Sequence, residues 1–201
     1  MLTFDSPILI LFLGFTYVVL FGLLSLMRRE GLSVQFALEA VVITLIAAAL
    51  GGSVPGGINP VLFLLVLYLV TMRVRISVEA ANFFARTGKF SRAEQIYKLG
   101  ERLFPDHTNR IIVRINVGTL RLQQGLLEEA ISIFKEILAK AGHGDVGVKY
   151  EAAAHYNLGV AYLRKDMDAK AQDEFHSVLE TWPLSEYGRR AEAALKKSPL
   201  K

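Results

Sequence analysis

From Pro7 to Met27 the chain carries an unbroken apolar stretch, long enough at about 1.5 Å per helical residue to cross a hydrocarbon core of about 30 Å. No soluble fold readily buries such a segment, so a membrane helix is the first expectation. It does not read as a secretory signal peptide: Met1–Ser6 holds no basic residue, and no small-x-small cleavage pattern follows Leu26. Arg28-Arg29 closes the stretch at an interface.

Two further apolar runs follow, at about 34–50 and 58–73, joined by the uncharged turn sequence Gly51-Gly52-Ser53-Val54-Pro55-Gly56-Gly57-Ile58-Asn59-Pro60. They predict a tight helical hairpin, crossing or re-entrant, with Pro60 in the first turn of the returning helix, where its missing N–H is harmless. Through Ile76 the charged residues are Asp5, Arg28, Arg29, Glu30, Glu39, Arg73 and Arg75. The arginines lie after the first and third runs, so the positive-inside rule predicts three spans, an outside N-terminus and a cytoplasmic remainder. Glu39 alone is ionisable within a predicted span. It lies about two turns from the interface, within reach of Arg28 or Arg29 as counter-ion. From Pro60 to Gly88 no proline, glycine or turn cluster interrupts the pattern, which predicts one continuous helix of about 27 residues leading out of the membrane.

The remainder, 76–201, is of different composition. The chain as a whole is 52% hydrophobic and 21% charged, figures compatible only because the two classes are segregated. Cysteine is absent, which excludes a disulfide-stapled module, and a net charge of +4 of mixed sign leaves no nucleic-acid footprint.

In this half three segments share one order of residues. The clearest is Leu158-Gly159-x-x-Tyr162, then Ala171, Phe175, Val178 and Pro183. The others are Val117-Gly118, Gly125, Ala130, Phe134, Ile137, and Ala80-Ala81-x-x-Phe84, Gly88, Phe90, Ala93, Tyr97, Gly100, Pro105. On these residues the domain resembles the tetratricopeptide repeat (TPR) family, whose unit of about 34 residues is a helix–turn–helix. The expected fold is all-α: three N-terminal transmembrane helices (1–75), then an α-solenoid of about three TPR helix pairs (about 74–107, 111–142 and 152–184) and a capping helix (about 185–197). Departures are the longer inter-repeat turns, notably Gly142-His143-Gly144-Asp145-Val146-Gly147, and Arg114 and Arg121 where the family places large apolar groups.

The residues carry no catalytic pattern. The four histidines stand outside the apolar runs, no His-x-x-x-His or cysteine pair offers metal ligands, and the Gly142–Gly147 loop lacks the lysine and hydroxyl of a phosphate loop. Asp166 and Asp168 read as solvated turn acids. The expectation is a non-enzyme without cofactor or metal. The resemblance implies a concave partner-binding groove formed by the first helix of each pair, with Asn82, Arg86, Ile112, Ile115, Thr119, Tyr156, Val160, Leu163 and Arg164 as candidate residues. Of the family's carboxylate-gripping positions (Val78, Asn82, Asn116, Ala153 and Asn157), only Asn82 and Asn116 match and no cation is present. An apolar helix or extended segment is therefore the expected ligand. The functional expectation is a membrane-anchored adaptor or scaffold that binds a protein or peptide beside the lipid bilayer, with a second copy of the chain as another partner open to it. The competing reading is a regulatory or structural subunit of a channel- or transporter-type complex whose transmembrane helices carry the main contacts.

Overall fold

The computed structural model describes residues 6–30, 33–141 and 146–197. Gly142–Asp145 of the glycine-rich loop and the tail before Ser6 fall outside the described residues. Within them the chain forms ten helices and no strand. Three belong to the apolar leader: α1 (Ser6–Met27), α2 (Val34–Gly51) and α3 (Pro60–Thr71). The other seven are α4 (Arg73–Arg86), α5 (Phe90–Arg102), α6 (His107–Gln124), α7 (Leu127–Ala141), α8 (Val148–Leu163), α9 (Asp168–Thr181) and α10 (Glu186–Lys197).

Helices α1 and α2, of 22 and 18 residues, are long and apolar enough to cross a membrane. Their outward faces, including Phe12, Leu23, Leu38 and Ile46, are exposed apolar surface. The Ser33 hydroxyl caps α2 by accepting from Phe36 N at 3.0 Å. Asn59 Oδ1 caps α3 by accepting from Val61 N and Leu62 N, with Pro60 at the first helical position as expected.

The continuous helix expected from Pro60 to Gly88 is not formed. The chain breaks at Met72 (φ −99°, ψ 7°), and α3 and α4 meet at a bend of 69°. At 12 residues, about 18 Å, α3 is too short to cross a membrane by itself. Side chains brace the chain at the bend. The Thr71 hydroxyl donates back to Leu67 O at 2.7 Å, and the Arg73 guanidinium donates to Val70 O at 2.7 Å. Tyr17 of α1 holds the Thr71 hydroxyl from the other side, also at 2.7 Å.

Beyond the bend the helices pair in chain order: α4 with α5, α6 with α7, α8 with α9, and α10 against α9 and α8. The first members also touch in sequence, α4 with α6, α6 with α8, and α8 with α10, making an inner row. One register recurs in all three pairs. The small residue (Ala81, Gly118, Gly159) precedes a fully buried alanine (Ala93, Ala130, Ala171), followed by a buried aromatic (Tyr97, Phe134, Phe175), always at the same spacing. The reason is steric. A Cβ on Gly118 would stand 2.7 Å from the Phe134 ring, and one on Gly159 would stand 2.7 Å from the Phe175 ring. In these two pairs the glycine admits the aromatic, as close packing requires, while the first pair accommodates Tyr97 with Ala81 at that position.

The turns inside the pairs also match. Gly88 (φ 73°), Gly125 (φ 79°) and Asp166 (φ 56°) adopt the left-handed conformation, and the next residue's N–H returns to Phe84, Arg121 or Tyr162 O. Asp166 is the one with a side chain to accommodate there. Asp166→Gly should raise the unfolding free energy by about 0.5–1 kcal/mol and Gly125→Ala should lower it by about 1 kcal/mol, read from denaturant midpoints. The two arginines that depart from the family pattern are put to use. Arg121 bridges Glu94 of α5 (3.3 Å) and Glu129 of α7 (2.9 Å), and Arg114 pairs with Glu136.

Candidate functional site

The expected groove residues lie along the inner row, but they do not form one uniform face. Ile115 is buried in the core, and Tyr156 packs against Phe175 and Tyr187, with ring centroids 5.8 Å away in each case. Asn82 Oδ1 accepts from the Tyr97 hydroxyl at 2.5 Å, while burial pushes that hydroxyl's pKa up to about 12. Thr119 donates to Ile115 O. Ile112, Val160 and Leu163 are half-buried, Arg86 is exposed, and Arg164 is exposed while also donating to Leu122 O at 2.6 Å. The surface left open is the end of the row remote from α1–α3: Arg86, Thr119, Val160, Leu163 and Arg164. The asparagines at the family's gripping positions are turned to local work. Asn116 and Asn157 donate to Ile112 O and Ala153 O, one turn back in their own helices.

At the other end of the row the α1–α2 connector is docked. Glu30 is 3% exposed, and its carboxylate is shared by Arg75 of α4 (2.7 Å) and Lys149 of α8 (2.6 Å). Burial pushes this carboxyl up, but Lys149 and Arg75 together outweigh it and hold it below the usual carboxylate range. The connector backbone joins in, Arg29 O accepting from Lys149 N at 3.2 Å. Arg29 itself lies over the Trp182 ring at 5.5 Å. Gly147 makes the approach possible, because a Cβ there would fall 2.7 Å from Glu30 O. Ser33 hydrogen-bonds to Asp106, the residue that caps α6. Helices α4 and α8 do not touch each other, so Glu30 ties the first and third pairs together across the inner row.

Glu39 finds neither Arg28 nor Arg29. Its partner is Arg73, in a two-pronged pair at 2.5 and 2.9 Å, with Gln35 donating to the same carboxylate at 2.9 Å. The same guanidinium donates to Leu103 O and Phe104 O, so one arginine links α2, the bend and the α5–α6 turn. Glu39 was visible in the sequence as an anomaly. Glu30 was not, because its partners are far along the chain and acids beside a double arginine are unremarkable.

No group of acidic or histidine side chains able to hold a metal occurs among the described residues. No family model, curated protein or solved structure matches this chain.

Proposed function

We propose that the chain is a membrane-anchored adaptor: α1, α2 and the short returning α3 form the anchor, read as three spans with the N-terminus outside, and the helices from α4 onward form a TPR-like solenoid on the cytoplasmic side that holds a protein segment near the bilayer. The recurring register of small residue, alanine and aromatic in three successive pairs carries this reading, since that register is what allows stacked helix pairs to present a continuous inner face. The arginines at 28, 29, 73 and 75 support the orientation. The open part of the face combines half-buried Val160 and Leu163 with cationic Arg86 and Arg164. It suits a short apolar segment bearing an acidic residue rather than a C-terminal carboxylate alone.

Full-length protein in nanodiscs, carrying a photo-crosslinker at Thr119, should capture a defined partner. Val160→Asp together with Arg86→Glu should reduce capture at least about tenfold, a loss of about 1.4 kcal/mol, without change in helical circular dichroism. Ile115 and Tyr156 are unsuitable for this test, because aspartate at either would disturb the core. Undiminished capture by the double variant, or retention of the same partner by residues 1–76 alone, would sink the adaptor reading.

A further inference from the structure

A cavity of about 810 Å³ opens where the leader meets the helical domain, within the roughly 300–1,000 Å³ typical of small-molecule sites. Its deep wall is apolar: Val18 and Phe21 of α1, Phe36 of α2 and Tyr68 of α3. Its mouth is polar, with Arg28, Glu30, Arg75, Glu79, Asp106 and Asn109. From Val18 to Arg28 the wall rises about 15 Å along α1, half of a hydrocarbon core of about 30 Å. The depth is that of one leaflet.

The charges at the mouth define the headgroup. Glu30 is neutralised by Arg75 and Lys149. The Asp106 carboxylate accepts from Asn109 N at 2.6 Å and hydrogen-bonds to the Ser33 hydroxyl. Arg28 and Glu79, both exposed, form no ion pair among the described residues. Arg28 and Glu79 are thus the two lining charges left without a partner, one of each sign. The geometry points to a binding site for one zwitterionic phospholipid with a primary ammonium headgroup, from the leaflet facing the helical domain. Its phosphate sits on Arg28, its ammonium donates to Glu79, and one acyl chain lies along Phe21 and Tyr68. A quaternary ammonium has no N–H to give the Glu79 carboxylate, and an anionic headgroup leaves that carboxylate uncompensated. The site rests on the membrane reading of α1 and α2 and is independent of any protein partner.

The test is native mass spectrometry of the delipidated full-length protein, titrated in micelles with dioleoyl phosphatidylethanolamine, phosphatidylcholine or phosphatidylglycerol. One phosphatidylethanolamine should be retained, with a preference of about tenfold or more over either other lipid. Gly22 lines the cavity, and a Cβ there meets nothing within 4 Å, so Gly22→Phe starts its ring from open space and occupies part of the cavity. That variant should lose the lipid while keeping its Trp182 emission. Glu79→Gln should keep a bound lipid but erase the preference over phosphatidylcholine. Equal retention of the three lipids, a preference for phosphatidylglycerol, or full retention by Gly22→Phe would overturn the proposal. So would a dimer that forms in place of lipid retention and is abolished by Gly22→Phe, since a second copy would then be the occupant.

Discussion

Phe175→Ala should destabilise the helical domain by about 3–5 kcal/mol, the cost of removing a large aromatic from a site that cannot collapse. Phe175 is 1% exposed, and its ring lies against the bare backbone of Gly159, with Tyr156 on its flank. Neither α8 nor α9 can close the gap, because α7 and α10 hold them from outside. Denaturant unfolding of the full chain in detergent, followed by Trp182 emission, reads the change. Gly159→Val attacks the same contact from the other side and should cost a comparable amount through overpacking, about 1–3 kcal/mol or more. Because the two share one contact, the double variant should lose less than the sum of the singles. A loss below about 1 kcal/mol for Phe175→Ala would mean that the α8–α9 pair is not packed as described.

Glu30→Gln should undock the connector. Removing the charge leaves Arg75 and Lys149 facing each other with no anion between them. A fully buried pair broken in this way costs about 3–5 kcal/mol. Arg75 and Lys149 are each about one third exposed, so about 2 kcal/mol is the expected figure here, or roughly 30-fold in the opening equilibrium. Trypsin cleavage after Arg28 and Arg29 should accelerate by that factor, and the emission of Trp182, the chain's single tryptophan, should shift as Arg29 leaves its ring. The pH dependence has a definite sign. The folded-state pKa of Glu30 lies below its unfolded value of 4.5, so its contribution is complete above about pH 4.5 and is lost as pH falls through the lowered value. Glu30→Gln should remove this acid-triggered step. Unchanged cleavage in the variant would show that the backbone contacts suffice.

Much of the fold was legible because it rests on local rules. The lengths of α1 and α2 follow from uninterrupted apolar residues, the start of α3 from Asn59-Pro60, and the pairing of α8 with α9 from the spacing of Gly159, Ala171 and Phe175. The break at Met72 was illegible because nothing local demands it. Arg73 and Thr71 hold it through Glu39 and Tyr17, which lie 34 and 54 residues away in sequence. The inner row was legible as a set of helix positions but not as a surface. Which of those positions stays open depends on α10, through Tyr187, and on the docked connector, neither of which marks itself in the repeat pattern. Glu30 is the extreme instance, since its contact with Lys149 spans 119 residues.

The carboxylate shared between α4 and α8 has a bearing on how the proposed partner binding should be measured. Stacked helix pairs that touch only their neighbours bend as a spring does, and a strut between first and third coils sets the radius. A water-soluble fragment starting after the leader lacks that strut, so its inner face would relax to another curvature. Affinities obtained with such a fragment would describe the unbraced coil, and under the proposed reading the difference from the intact chain would itself measure how far the leader shapes the inner face.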